Sequence, residues 1–330
     1  MASTTSSMTT YPQDDLEDPV ALIIIRWLVT TVGVIVNFLV MFVFIYNKTY
    51  KKSLSHALLL HQTTVDMLGC CMFLIYYNND APEGKNGTLF CKSRFLYWYL
   101  SATSSYNLVM VTIERYVAVV HPIAYRQRSF NRRKVTTLII PHTCGVIAAF
   151  IVLIIGDVNP ESKGECKYYY SSDLTALLSA VFIFTMYWLL PVIVIVYCYT
   201  RILLNLRKMA KIRNTTNEPR TGNAGGQLKG TQRNMILTLV LVAIAFLVTV
   251  TPNFTLYMVY NICRCFEFSS IILHEITVLL NASNLCINPF IYCFTFTEFK
   301  RGITKIRNDI TGRQDLSSFH DENQTQSITM

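Results

Sequence analysis

Long apolar runs dominate the pattern of hydrophobic and polar positions along this chain. Four blocks contain no charged residue: Trp27–Tyr46, Val135–Ile155, Leu174–Thr200 and Met235–Ile262. An α-helix rises about 1.5 Å per residue, so each block is long enough to cross the roughly 30 Å hydrocarbon layer of a membrane. A helix buried in a soluble protein is seldom this long and this apolar on every side. The blocks therefore predict four membrane-spanning helices.

Three further segments have the length of a span but carry interior charges. They are Leu54–Tyr77 with Asp66, Phe90–Val119 with Glu114 and Arg115, and Ser269–Tyr292 with Glu275. Because their lengths and flanks fit, we count them as spans. The predicted fold is an all-α membrane protein, a seven-transmembrane helix bundle over residues 20–292. No repeat period is visible, so the inverted repeats of many transporters find no support.

The segments outside the bundle have distinct patterns. Residues 1–19 form an acidic amino-terminal tail without the apolar core of a signal peptide. After the seventh span, apolar residues alternate with Lys and Arg, which predicts a short amphipathic eighth helix over 293–307, lying on the membrane surface. Residues 308–330 are polar and are predicted to form a cytoplasmic tail.

Composition and charge agree with a membrane protein and give its orientation. The chain is 52% hydrophobic and 15% charged, whereas soluble domains carry roughly a quarter charged residues. Lys and Arg concentrate in the links after the first, third and fifth spans and in the tail, which predicts that these lie in the cytoplasm. The amino terminus is therefore expected outside a plasma membrane. The net charge of +9 indicates topology and contact with anionic lipid, and not nucleic-acid binding.

Polar groups inside apolar spans are costly, so each one needs an explanation. Such groups recur in fixed order along the chain: Asn37 in the first span, Asp66 in the second, Glu114-Arg115-Tyr116 at the end of the third, and Asn284 and Asn288 with Pro289 in the seventh. The Arg115 guanidinium is always charged and needs partners. The adjacent Glu114 can supply one in a resting state. The plainer alternative is an arginine that only sets topology at a helix end.

Together these residues resemble the rhodopsin-like (class A) G-protein-coupled receptors over residues 20–307. Glu114-Arg115-Tyr116 is a Glu form of the family's Asp-Arg-Tyr motif. Asn288-Pro289-Phe290-Ile291-Tyr292 with Phe299 resembles the signature of helices seven and eight. The resemblance implies a set of coupling and switching residues: Glu114, Arg115, Tyr116, Tyr199, Phe246, Pro252, Asn288, Pro289 and Tyr292. It also implies a heterotrimeric G protein as partner, with arrestin and a receptor kinase as further partners.

The resemblance carries expectations about covalent links and ions. It implies a disulfide between Cys91 and Cys166, whereas Cys263 and Cys265 lie too close in sequence to pair easily with each other. No cofactor is required, but one set of oxygen-bearing residues resembles the family's sodium pocket: Asp66, Ser104, Asn284 and Asn288. A protonated Asp66 within a water network is the alternative. Asn86-Gly87-Thr88 is an acceptor triplet for a glycan, used or unused.

The expected ligand site lies between the outer halves of the second, third, sixth and seventh spans. Its candidates are Tyr76, Tyr77, Tyr97, Ser101, Asn253, Tyr257, Tyr260, His274 and Glu275. For each of them, structural packing is the alternative. A tyrosine-lined pocket with amides suits a peptide, and a neuropeptide is the first hypothesis. A lipid or other small molecule stays open. An amine is disfavoured because Tyr97 and its neighbours supply no carboxylate.

Proteins of other classes need features that this chain lacks. A transporter or channel needs charges along a continuous path, and only Asp66 and Glu275 lie deep in the spans. A membrane enzyme needs a catalytic cluster, and His142 and His274 stand apart. We therefore predict a receptor that is not an enzyme.

Two departures from the family pattern concern its resting state. Val250 replaces a family tryptophan in the sixth span, and Gln232 stands where an acid would pair with the helix-three arginine. We expect Trp188 to fill part of the space beside Val250. Its indole N–H needs a partner when buried, for which Asn253 or Ser105 is predicted.

Overall fold

The structure is a computed structural model that describes residues 20–127, 130–160, 164–215, 223–263, 272–295 and 297–311. In chain order the helices are α1 (Val20–Tyr46), a 3₁₀ turn (Thr49–Lys51), α2 (Leu54–Tyr77), α3 (Lys85–Ser93), α4 (Phe95–Val120), α5 (Pro122–Gln127), α6 (Phe130–Ile155), α7 (Asp173–Phe184), a π-helical turn (Thr185–Leu189), α8 (Leu190–Thr215), α9 (Asn223–Cys263), α10 (Ile272–Thr295) and α11 (Thr297–Thr311). Two short strands, β1 (Gly156–Val158) and β2 (Cys166–Tyr168), form an antiparallel hairpin between α6 and α7. The hairpin and α3 mark one end of the bundle, called here the hairpin end, and the opposite end is called the α11 end.

The predicted spans correspond to seven helical segments in the described part of the chain, and the third differs from its predicted start. The second span, Leu54–Tyr77, is α2 as predicted. The first, α1, begins at Val20, where the predicted bundle begins, and includes Arg26, which precedes the charge-free block Trp27–Tyr46. The predicted start of the third span at Phe90 is wrong, because Phe90 belongs to the separate helix α3. That helix packs against β1 and α6 and does not continue into α4.

Among the described residues, six helical segments are long and apolar enough to cross a membrane, and α4 is not one of them. The reason is its position. Every residue from Leu100 to Thr112 is buried, and α4 packs against α2, α6 and α8. A helix surrounded by protein can carry serine, threonine and asparagine that satisfy neighbouring helices, and its hydropathy falls accordingly.

The fifth predicted span is one helical segment that contains a π-helical turn. Its first part, α7, begins with a capping box in which Ser172 and Thr175 satisfy each other's backbone N–H groups. The π-helical turn Thr185–Leu189 then precedes Pro191, which has no N–H for a helical hydrogen bond. The turn places Tyr187 in the interior, where it is 3% exposed.

Helix α11 packs on the end of α1 through one aromatic contact and several polar ones. The Phe299 ring is buried, 6.4 Å from that of Phe44. Asn47 Nδ2 donates to the Gly302 carbonyl at 3.3 Å, and the Tyr46 hydroxyl donates to Asp309 Oδ2 at 3.0 Å. This helix begins later than the predicted segment 293–307, because α10 continues to Thr295. The predicted amino-terminal tail and residues 312–330 lie outside the described part.

One disulfide fixes the hairpin end of the bundle. Cys91 of α3 is bonded to Cys166 of β2, with Cα atoms 5.4 Å apart, which confirms the expected pairing. Cys263 is also disulfide-bonded, and Cys265 lies outside the described residues. The Cys91–Cys166 bond closes a long loop that contains α4 and α6, so it limits how far the unfolded chain can expand.

Breaking this disulfide is expected to destabilise the protein by about 2–5 kcal/mol. The variants Cys91→Ala, Cys166→Ala and the double variant should all lose cell-surface protein to a similar extent, as measured by surface biotinylation. Cys144→Ala, which removes a half-buried free thiol, is the control and should stay near wild type. A double variant much worse than both single variants would show that the two cysteines act separately.

Candidate functional site

At the α11 end, Glu114 and Arg115 form a closed ion pair. Arg115 Nε donates to Glu114 Oε2 at 2.6 Å, and the arginine side chain is only 13% exposed. Glu114 is held by two further hydroxyl groups: Tyr125 donates to Oε1 at 2.6 Å, and Ser55 contacts Oε2. Sequence reasoning missed both, since a hydroxyl in α2 and one in α5 give no local sign that they meet. The arrangement keeps the guanidinium turned toward Glu114.

The other predicted switching residues divide into interior and outward positions. Phe246 and Tyr292 are fully buried, and the Tyr199 hydroxyl lies 3.5 Å from Thr112 Oγ1. Pro252 and Pro289 lie inside α9 and α10. Tyr116 faces outward instead, with its hydroxyl 3.2 Å from His121 Nε2. The side chain of Gln232 lies outside the described part of the structure.

In the middle of the bundle, Asp66 is surrounded by hydrogen-bond donors from three helices. Ser104 Oγ donates to Oδ1 at 2.6 Å, and Asn288 Nδ2 donates to Oδ2 at 2.9 Å. Gln62 Nε2 lies 2.9 Å from Oδ1 and 3.1 Å from Oδ2. Asn284, expected in this set, faces α9, where its Oδ1 accepts from Thr249 at 3.3 Å. Gln62 is the member that sequence reasoning missed.

Gln62 also begins a hydrogen-bond chain that reaches the outer surface of α2, α4 and α6. Asn107 Nδ2 donates to Gln62 Oε1 at 2.7 Å, and Asn107 Oδ1 lies 2.9 Å from His61 Nδ1. The Nε2 atoms of His61 and His142 are 2.9 Å apart, and the Tyr99 hydroxyl lies 2.6 Å from His142 Nδ1. His142 stands apart from His274 as predicted, but it has a partner in His61 that sequence spacing did not reveal.

At the hairpin end, aromatic rings from α2 and α4 pack around Tyr97. Its ring lies 5.3 Å from Phe73 and 5.2 Å from Tyr77, and Asn281 Nδ2 lies 3.4 Å from its hydroxyl. Tyr76 contacts Phe90 instead, at 5.3 Å. Three predicted tyrosines therefore lie in one region, although Tyr76 points toward α3.

Tyrosines of the hairpin segment lie over this aromatic region. The Tyr170 and Tyr257 hydroxyl groups are 2.5 Å apart, and burial raises the pKa of Tyr170 to about 12. Burial also raises the pKa of Tyr168, while Arg94 acts in the opposite direction. Both tyrosines were missed, although the run of three tyrosines from 168 to 170 begins two residues after Cys166.

The remaining candidate ligand-binding residues each make a different contact. Ser101 is buried within α4, and Asn253 Oδ1 accepts from Thr277 at 3.3 Å. Tyr260 lies half-buried on α9, one turn from Tyr257. His274 Nδ1 is 3.4 Å from Glu275 Oε1.

Glu275 also contacts a residue that sequence reasoning missed. Arg26 Nη1 of α1 lies 3.1 Å from Glu275 Oε2, and the two side chains are 9% and 22% exposed. The charge-free block that predicted the first span begins at Trp27, so Arg26 was not among the interior charges that the sequence analysis considered. The pair ties α1 to α10 at the hairpin end.

The structure corrects the expected partner of Trp188. Its Nε1 donates to Thr251 Oγ1 at 2.7 Å, so the prediction of Asn253 or Ser105 is wrong. Trp188 lies in the π-helical turn, which rotates this part of the chain. Its indole therefore reaches Thr251, the residue directly after Val250 along α9. Val250 is buried in the same apolar cluster as Tyr187 and Phe254, whose rings stack 5.0 Å apart, and Trp188 packs against that cluster.

Comparison with known proteins identifies the family of this arrangement. The model of the family described as "7 transmembrane receptor (rhodopsin family)" matches residues 36–292. The chain belongs to this family. Among its relatives, human "G-protein coupled receptor 183" is 25% identical over 316 residues, with 84% of this chain and 78% of the relative covered. Rat "Somatostatin receptor type 4" is 26% identical over 291 residues, covering 84% and 70%. Rat "Somatostatin receptor type 1" is 29% identical over 209 residues, covering 62% and 50%.

Membership confirms the broad predictions made from the sequence. The receptor is a multi-pass membrane protein of the rhodopsin-like class, and its relatives are receptors rather than enzymes. The matched region includes the second to seventh predicted spans whole and the carboxyl-terminal part of the first.

A charge exchange tests the Arg26–Glu275 contact. Arg26→Glu and Glu275→Arg should each lower the melting temperature of the purified receptor, because each places like charges at a mostly buried position. The double variant should recover part of the loss, with a coupling free energy of about 0.5–3 kcal/mol. Thermal unfolding of the four proteins in one detergent gives this value. Additive losses in the double variant would rule out a direct pair.

Proposed function

We propose that this receptor binds an extracellular ligand at the hairpin end and activates a heterotrimeric G protein at the α11 end. The observation that carries the proposal is the closed Glu114–Arg115 pair at one end of α4, whose other end holds Tyr97 in the aromatic region. Arg115 lies 18 positions after Tyr97, so the two sites lie about 27 Å apart along one helix.

The ion pair between Glu114 and Arg115 corresponds to a resting state of the receptor. A G protein needs a surface at the α11 end, and Arg115 becomes available only after it leaves Glu114. A ligand favours the open arrangement if it binds that arrangement more tightly, and about 1.4 kcal/mol of difference changes the ratio of the two states tenfold. Pro252 and Pro289 interrupt backbone hydrogen bonding in α9 and α10, which makes those positions suitable hinges.

We also propose how the receptor is oriented in the plasma membrane. The hairpin end faces the outside, where its disulfide is stable. The α11 end faces the cytoplasm, with α11 as the eighth helix on the membrane surface. Buried Phe299 and exposed Lys300 and Lys305 support that placement. Arrestin and a receptor kinase would act at this same face and tail.

A peptide, and first a neuropeptide, is the proposed ligand class. The hairpin end offers tyrosine hydroxyls, the amides of Asn253 and Asn281, and the charges of Arg26 and Glu275. Such groups suit a chain with many amides and charged ends. Two of the relatives are named somatostatin receptors, and somatostatin is a peptide. A second-messenger screen of expressed receptor against peptide and lipid libraries tests the class, and activation by lipids alone would overturn it.

Replacing Arg115 is expected to abolish coupling while the receptor still reaches the cell surface. Arg115→Ala should reduce nucleotide exchange on purified G proteins to the level of membranes without receptor, both ligand-free and with any ligand from the screen. Arg115→Lys keeps the charge but loses the planar group of donors, so it should retain only part of the activity. Lys51→Ala removes an exposed cation on the same face and is the control. Full exchange by Arg115→Ala at equal surface level would contradict the assignment.

A glycan at Asn86 would report the orientation. Asn86 is exposed near the start of α3, and the Thr88 hydroxyl donates to Asp157 Oδ1 at 2.7 Å. Glycosidase treatment of protein from mammalian cells should increase its gel mobility. Asn86→Gln should remove the shift, while Thr88→Ser keeps both the acceptor triplet and the hydroxyl and should preserve it. A mobility unaffected by the enzyme would count against a used site at this position.

A further inference from the structure

We propose that the side-chain amide of Gln62 takes the place of a sodium ion at Asp66, so that the resting receptor does not depend on sodium. The residues around Asp66 do not fit the ion that the family resemblance implies. The proposal concerns this internal site and does not depend on the identity of the ligand or of the G protein.

The position of the amide nitrogen is the central observation. Gln62 Nε2 lies 2.9 Å from Asp66 Oδ1, 3.1 Å from Asp66 Oδ2 and 2.6 Å from Ser104 Oγ. A hard cation would have to contact these same oxygens, because it binds oxygen ligands. The Gln62 N–H group between these oxygens supplies the positive end of its amide dipole to them in place of a cation. The amide and a cation therefore compete for one position.

The hydrogen-bond network fixes which way the amide points. Asn107 Nδ2 lies 3.0 Å from the Leu58 carbonyl, which can only accept, so this end of the Asn107 side chain must be the donor. The same Nδ2 donates to Gln62 at 2.7 Å, which identifies that atom as the Gln62 oxygen. The Gln62 nitrogen must then face Asp66. Turning the amide to offer its oxygen to an ion would break contacts on both sides.

Two other residues of the expected sodium set also direct no oxygen at Asp66. Asn288 directs its N–H group at Asp66, and Asn284 binds Thr249 on α9. Leu285, next to Asn284, offers no side-chain oxygen, and its carbonyl accepts from Asn37 at 2.9 Å. Asn288 Oδ1 is buried with no hydrogen-bond partner in the described part of the chain. Once the Gln62 amide is removed, the Asp66 carboxylate, Ser104 Oγ and Asn288 Oδ1 are the oxygens that a sodium ion could bind together with water.

Thermal stability in different salts tests the proposal without a known ligand. Purified full-length receptor is heated in NaCl or in choline chloride at equal ionic strength. The wild type should melt at the same temperature in both. Gln62→Ala and Gln62→Leu remove the amide, and each should melt about 2–4 °C higher in NaCl, the size of shift expected when an ion binds at several times its Kd.

Two further variants make the test specific. Gln62→Ala combined with Asp66→Asn lacks the carboxylate and should lose the sodium response. Asn281→Ala removes a buried amide elsewhere in α10 and should melt equally in both salts. The proposal is overturned if wild type shows a sodium shift as large as that of Gln62→Ala. It is also overturned if both Gln62 variants stay insensitive to sodium, since the amide would then not be what excludes the ion. If Gln62→Ala does not fold, Gln62→Leu preserves the side-chain volume and decides the question.

Discussion

A polar group in the interior of a membrane bundle must find its partners within the protein, because no bulk water is present to supply them. Asp66 shows the consequence most directly. Its carboxylate draws donors from its own helix, from Ser104 of α4 and from Asn288 of α10. These bonds set the rotation of three helices relative to one another, since a helix turned by one residue would withdraw its donor. The apolar packing around them adds stability but is far less directional.

Helix α4 is where this constraint connects the two ends of the receptor. Its serines, threonines and asparagine face protein on all sides, which explains why it is the least apolar of the seven long segments described. At the hairpin end it carries Tyr97, and at the α11 end it carries the Glu114–Arg115 pair. Any shift of this helix moves both sites, so it suits a receptor in which binding and coupling must influence each other.

The hairpin end departs most from a regular bundle. The disulfide draws α3 across the end of the bundle, and the π-helical turn before Pro191 alters the direction of Tyr187 and Trp188. Tyrosines of the hairpin segment then reach Tyr257 and the rings beneath it. Val250, Tyr187 and Phe254 share one buried cluster, and Trp188 packs against it. Aromatic rings from neighbouring helices can keep such a cluster densely packed when one position carries a smaller side chain.

The sequence by itself determined the membrane class, the approximate spans and the family. These depend on local properties: the length of apolar blocks, the side on which Lys and Arg collect, and short motifs such as Glu114-Arg115-Tyr116. It also indicated that Asp66 and Asn288 belong to one site. Only the tertiary structure decided which residues of different helices contact each other. Gln62, Arg26 and the His61–His142 pair gave no signal because an amide, an edge charge or a lone histidine is common in any helix. Their roles come from which residue of another helix lies within about 3 Å, and hydrogen-bond geometry at that range is set by helix rotation and register, which no local pattern specifies.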